Sequence, residues 1–289
     1  MKTVAIYYFS GTGNTAIVAG MIEAEFLHRG VAVTLMRIED FLKNGREMGS
    51  APNRYDLIGI GHPVNGFGAP QIIADFIKAL PDGAGKKVFL FKTAGGVAPV
   101  NYNASRQTIR RLSKKGYRVF YDRLFSLGSN WIVKFKDSVM RDLYRATKQK
   151  AAIMVEEIMK GKTRFLKTGF PLSVITGSIA FLHDNTVRFF GKDYRVSASC
   201  NHCGKCVRNC PTANIYEKNG RIKFKLSCLW CMRCLYGCPQ NAIRHRLLSF
   251  CVVPGGYDIK KTLENPNLST DCPGSTPPFL QNYLQNKDL

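Results

Sequence analysis

Acidic residues are scarce: 20 Asp and Glu stand against 42 Lys and Arg in 289 residues, a formal net charge of +22. Such a field favours acidic partners, whether a redox protein, a nucleic acid or an anionic membrane surface, and makes association weaken as salt is added. A nucleic acid ranks last, because no reading helix or zinc module is recognisable. No run reaches the ~18 uninterrupted apolar residues of a membrane-spanning helix, so none is expected. The start, MKTVAIYYFSG, has one lysine and a short apolar run that enters a glycine-rich turn. It reads as a strand and loop rather than a signal peptide, which makes the cytoplasm the expected compartment. That turn lacks a following Gly-Lys-Ser/Thr, which excludes a P-loop. Tryptophan occurs only twice.

Cysteine is plentiful and unevenly spread. Eight of the ten lie between Cys200 and Cys238 in the pattern C-x2-C-x2-C-x3-C-P written twice. Each cysteine of the second copy follows its counterpart by 28 residues, and Ile215 and Ile243 repeat at the same offset, so this is an internal repeat. Three thiolates at two-residue gaps wrap one face of an iron-sulfur cube, and the fourth, before a proline, ligates the other cluster. Cys200, Cys203, Cys206 and Cys238 are thus assigned to one [4Fe-4S] cluster, and Cys228, Cys231, Cys234 and Cys210 to a second. Zinc would use pairs of C-x2-C and leave the third cysteine of each run without a purpose. Disulfides need an oxidising compartment. From about Ser197 to Arg246 the sequence resembles the bacterial two-cluster ferredoxins, which implies one-electron transfer at low potential.

The first half alternates strand and helix patterns. Residues 2–9 end at Ser10-Gly11-Thr12-Gly13-Asn14-Thr15, a helix follows to about His28, and later strands are read at 31–36, 55–61, 86–92 and 117–127. Helices are read at 71–80, 104–115 and 137–160. The alternation predicts a parallel sheet wound on both sides. Hydroxyls of Ser10, Thr12 and Thr15, the Asn14 amide and the N–H groups of a helix N-terminus can surround a phosphate. Gly11, Gly13 and Ala16 also satisfy a loose dinucleotide fingerprint, but no acidic residue closes the second strand.

In its order of hydroxyls and glycines, S-G-T-G-N-T resembles the phosphate loop of the flavodoxins. The resemblance implies a flavodoxin-like, doubly wound five-stranded α/β sheet that holds FMN. By it, Ser10 to Thr15 hold the phosphate. Pro63, Val64, Asn65, Gly66, Phe67 and Gly68, with Thr93, Ala94, Gly95 and Gly96, supply the isoalloxazine edge. Phe67 and Tyr102 are placed to stack on the ring or to pack on the sheet edge, and neither loop carries a tryptophan. Asn130-Trp131 is a further candidate for the rim. His62, Asn65 and Tyr102 are the candidate donors toward a small-molecule substrate.

The expected domains are 1–160 for FMN, 161–196 as a connector with one apolar helix, 197–246 as a small α+β ferredoxin-like domain, and 247–289 as an extended arm. The connector reads as a helix packed across both domains, ahead of an interfacial segment whose Lys160, Lys162, Arg164 and Lys167 meet anionic lipid. Cys251 and Cys272 read as plain thiols. The order of motifs resembles flavodoxin-ferredoxin fusion proteins. It implies an electron-transfer flavoprotein linking FMN, two [4Fe-4S] clusters and an external partner, an acidic ferredoxin or flavodoxin or a redox enzyme. The alternative is an FMN-dependent reductase of a small molecule fed by its own clusters.

Overall fold

The computed structural model describes residues 1–44, 52–264 and 278–285; Cys272 lies outside them. The parallel sheet is made of β1 (Thr3–Tyr8), β2 (Ala32–Arg37), β3 (Leu57–Pro63), β4 (Lys87–Ala94) and β5 (Arg118–Ser126). Its order is β2-β1-β3-β4-β5 and every pairing is parallel, the flavodoxin-like order. Strands covered on both faces need no polar alternation, and β3 is buried along all but its last residue. Gly59 and Gly61 lie beside Phe89 and Phe91 on β4. A Cβ at either glycine would fall within 2.3 Å of the facing ring, so the glycines of this strand make room for the phenylalanines.

Helices α1 (Asn14–His28) and α5 (Asp137–Met159) cover one face of the sheet. The other face carries α2 (Ile38–Asn44), α3 (Gln71–Ala79) and α4 (Arg106–Lys114). Lys92 of β4 is fully buried, pairs with Asp122 of β5, and donates to the Ser105 hydroxyl and the Tyr102 carbonyl, each at 3.0 Å. Burial lowers the Lys92 pKa and Asp122 opposes the shift. This network ties the segment after β4 to the sheet.

Beyond α6 (Leu172–Phe190) come β6 (Tyr194–Val196), α7 (Lys205–Arg208), β7 (Ile215–Lys218), β8 (Arg221–Phe224), α8 (Arg233–Tyr236) and β9 (Ile243–His245). β6 pairs with β9 and β7 with β8, both antiparallel. The 28-residue repeat of the sequence is a repeat of backbone too. Left-handed residues recur at His202 and Trp230, Gly204 and Met232, Ala213 and Asn241, and Ile215 and Ile243 both open strands and are both buried. Asn214 N–H donates to Cys210 Sγ at 3.2 Å, and Ala242 N–H to Cys238 Sγ at 3.3 Å, in the same place of each copy.

The connector helix, expected to pack across both domains, has only Thr176 and Val187 buried; Ala180 and His183 sit on Gly68 and Gly66, and Phe190 meets Trp230 edge to face at 4.7 Å. Of the last segment, expected as an extended arm, the described residues form α9 (Ile259–Glu264) and α10 (Pro278–Leu284), and Tyr257, Ile259, Leu280 and Tyr283 enter the core beside α1 and α5; residues 265–277 and 286–289 lie outside the described residues. Cys251 is a buried free thiol.

The cysteine segment plugs into the sheet through Leu229, Cys231 and Arg233. Leu229 joins the core of the α2–α3 face. Arg233 donates to the Ser10 carbonyl at 2.6 Å, the Asn209 carbonyl at 3.0 Å and the Glu39 carboxylate at 2.7 Å. Burial alone would raise the Glu39 pKa, but Arg233 and Arg37 outweigh it and hold the carboxyl below its usual range. The stability this lends is complete above the ordinary carboxylate pKa and is lost as pH falls through the depressed one. Arg233→Met leaves Glu39 with Arg37 alone and is expected to cost about 2–3 kcal/mol, read by urea unfolding of the iron-loaded protein. Glu39→Gln is expected to flatten the acid limb of the stability profile, and an unchanged limb would remove this account of the junction.

Candidate functional site

A cleft opens beyond the carboxyl ends of β1, β3 and β4, where doubly wound sheets bind ligands. It encloses about 780 Å3 including its mouth, within the range of cofactor sites. The first loop contributes Ser10, Gly11, Thr12, Asn14 and Thr15, the second Pro63, Val64, Asn65 and Gly66, and the third Thr93, Ala94 and Gly95. Val64 N–H donates to the Thr93 carbonyl at 2.8 Å and locks the second loop to the third. Twelve of the residues read from sequence as flavin contacts therefore share one wall.

Within the first loop, the side chains divide their work. Asn14 donates to the Gly128 carbonyl at 3.0 Å and accepts from the Tyr257 hydroxyl. Thr15 and Thr93 hydroxyls meet at 2.7 Å, and both side chains are buried. These two residues hold the loop in shape. Ser10 and Thr12, with the N–H groups at the start of α1, remain as the donors that fit a phosphate. Thr12 also accepts from Asn130 Nδ2 at 2.8 Å.

The remaining five expected contacts do not line the cleft. Gly13 caps α1 with φ of 108°. Phe67 sits at φ of 64° inside the turn that bonds Asn65 to Gly68 in both directions. Gly68 faces Ala180, Gly96 faces Phe279, and Tyr102 spends its carbonyl on Lys92. His62 is also outside the lining: it is fully buried, bonded to the Pro63 carbonyl at 2.9 Å, and burial lowers its pKa to about 4. The aromatic wall comes instead from Trp131 and Trp230, whose rings meet edge to face at 5.5 Å. His183 of α6 completes it. A Cβ on Gly66 would fall 2.4 Å from the His183 ring, so the missing side chain there admits an imidazole. His183 Nδ1 is buried without a hydrogen-bond partner, with the Asp184 carboxylate at 3.8 Å.

Trp230 and His183 escaped the sequence reading because they lie in the cysteine repeat and the connector, far from any flavin loop. The available signal was the repeat itself: Trp230 holds the left-handed position that His202 holds in the first copy, a place that needs no aromatic. Its indole N–H donates to His245 Nε2 at 3.1 Å, and His245 Nδ1 lies 2.9 Å from Asp193. Asp193 also accepts the Leu247 and Leu248 N–H groups. The ring at the cleft is thus fixed from behind.

The eight motif cysteines surround two further cavities. One is lined by Cys200, Cys203, Cys206 and Cys238, the other by Cys210, Cys228, Cys231 and Cys234. These are the two interleaved sets that the spacing predicts, each with three thiols from one run and the fourth from the other. Apolar side chains, Tyr194, Ile215, Phe224 and Leu229 among them, fill the rest of the second. Trp230 N–H donates to Cys228 Sγ at 3.3 Å. Burial pushes the Cys228 thiol up to about 12 and raises Cys231 and Cys234 as well. Four soft donors with N–H bonds to sulfur in a dry cavity fit a cubane cluster. Cys231 and Met232 line both this cavity and the cleft.

That shared wall is closed by backbone. A Cβ on Gly11 would sit 2.3 Å from the Cys231 carbonyl oxygen. Gly11→Ala is expected to push the cysteine run off the first loop, so that flavin affinity and iron retention fall together, each at least about tenfold (about 1.4 kcal/mol). Gly20→Ala, with nothing within 4 Å in α1, is the control and is expected to gain up to about 1 kcal/mol. Flavin titration with iron analysis of both variants decides; normal binding by Gly11→Ala contradicts the packing.

Residues 199–243 match the 4Fe-4S dicluster domain family. No curated protein matches the chain. Among solved structures, flavodoxin 2 from Bacillus cereus is 21% identical, with 55% of this chain and 99% of that one covered and a TM-score of 0.41. Two-electron reduced Megasphaera elsdenii flavodoxin is 24% identical, with 53% and 98% covered and a TM-score of 0.38. A flavodoxin from the domain Archaea is 15% identical, with 54% and 99% covered and a TM-score of 0.36. The chain thus joins a parallel sheet of order β2-β1-β3-β4-β5 to a segment that matches the 4Fe-4S dicluster family.

Proposed function

We propose that the chain is an electron-transfer protein that binds FMN in the cleft and one [4Fe-4S] cluster in each thiol cavity. FMN exchanges electrons in pairs or singly and each cluster moves one, so the combination couples two-electron and one-electron chemistry. The observation that carries the reading is Cys231: its residue walls both the cleft and the inner cavity. The chain's own part is positional. The first loop and the start of α1 hold the phosphate end, the second and third loops present backbone to the ring, and Trp131 and Trp230 shield it from water. Arg233 keeps the inner cavity against Ser10.

The outer set includes Cys203, the one motif cysteine that is exposed. Electrons enter or leave there, at a surface that carries Lys205, Lys218, Arg221 and Lys223 and suits an acidic redox protein. Reductase action on a small molecule is the second reading, favoured by the unpartnered His183 Nδ1 and by Asn65 at the same wall.

Anaerobically prepared protein is expected to hold about eight irons and one flavin per chain. Cys210→Ala is expected to disturb the cluster of Cys228, Cys231 and Cys234 and spare the other; loss confined to the Cys200 set would overturn the assignment. Reduction of an acidic ferredoxin is expected to slow steeply with added salt, and a flat response would remove the docking surface.

A further inference from the structure

Helix α6 turns small and polar side chains toward the protein and large apolar ones away from it. Its inward face is Thr176, Ala180, His183 and Val187, with Ala180 and His183 seated on Gly68 and Gly66. Outward lie Val174, Ile175, Ile179, Phe181, Leu182 and Phe189, between 43% and 73% exposed. Steps of three, four and seven along the chain keep these on one side of the helix. Phe170, 85% exposed, extends the surface before the first turn. Leu247 and Phe250, 73% and 68% exposed, continue it past the last turn, where Leu247 N–H is bonded to Asp193. Nine large apolar side chains exposed along one face of the helix and at its two ends, with only Ser178 and Asn185 as exposed uncharged polar residues of the helix among them, mark a place where something docks.

Charge identifies the occupant. Exposed cations border the surface at both ends: Lys167 before the helix, and Arg188, Arg195 and Arg246 near its close, beside Lys162 and Lys192, which are engaged with Glu157 and the Phe224 carbonyl. From residue 161 to 196 the only acidic residues are Asp184 and Asp193, and Asp193 is engaged with His245. A second copy would set +22 against +22. A nucleic acid would use the cations and leave the phenylalanines in water. Anionic lipid satisfies both, with apolar side chains at the acyl boundary and cations among the headgroups.

We propose that α6 is an interfacial anchor that lays this face on an anionic lipid bilayer. Because Ala180 and His183 on the opposite side meet the cleft loop, the cleft then stands about one helix diameter, ~10 Å, from the membrane surface.

Flotation of the cofactor-loaded protein with phosphatidylglycerol-containing phosphatidylcholine vesicles, and with phosphatidylcholine alone, tests this. The wild type is expected to float with the anionic vesicles at low salt. The double variant Phe181→Glu and Leu182→Glu is expected to lose at least about tenfold in partitioning, with iron and flavin content unchanged. Failure of the wild type to float overturns the proposal, whether or not the face captures an acidic protein instead. Equal flotation of the variant also overturns it, since charge alone would then explain the adsorption.

Discussion

The structure depends on one contact between two stretches of backbone more than two hundred residues apart. Gly11, in the loop after the first strand, touches the Cys231 carbonyl so closely that no side chain fits between them. Arg233 fastens the same junction by spanning the Ser10 carbonyl, the Asn209 carbonyl and the buried Glu39 carboxylate. A guanidinium suits this task because its planar fork donates in several directions at once. With the junction closed, the inner thiol cavity and the cleft share a wall, and Cys231 belongs to both.

The cleft is consequently a composite. The sheet supplies its floor through three loops, but the aromatic wall is Trp131, held by the Asn130–Thr12 and Tyr236–Asn130 hydrogen bonds, and Trp230, held by His245 and Asp193. Burial lowers the His245 pKa while Asp193 opposes that shift. The neutral ring that burial favours can donate from Nδ1 to Asp193 and accept the indole N–H at Nε2. Asp193 also receives two backbone N–H groups from the chain beyond β9. One carboxylate thus sets the end of α6, the start of the last segment and the angle of a cleft tryptophan.

Much of this was legible because its causes are local. Strand–loop–helix patterning needs only neighbouring residues, and S-G-T-G-N-T marked the first loop of the cleft. The cysteine spacing also predicted which thiols surround which cavity, because a 28-residue repeat forces the two runs into equivalent turns. What was illegible is non-local. Phe67 and Tyr102 stood in the loops where stacking was expected and Trp131 was in view just past the last strand of the sheet, whereas Trp230 reaches the cleft through tertiary packing of a distant segment. The last segment looked extended from its prolines, yet Leu280 and Tyr283 are buried against α5. The connector read as a helix packed across both domains, but which of its side chains face inward was not legible, since a sequence cannot say which way a helix faces.

The central claim is that electrons pass between the flavin cleft and the thiol cavities within a single chain, across the wall at Cys231. Flash reduction of the cofactor-loaded protein, with flavin and iron-sulfur absorbance followed over a dilution series, tests it most directly. The account predicts a first-order exchange whose rate does not change with protein concentration. A rate that falls in proportion to dilution would show transfer between separate molecules and would contradict it.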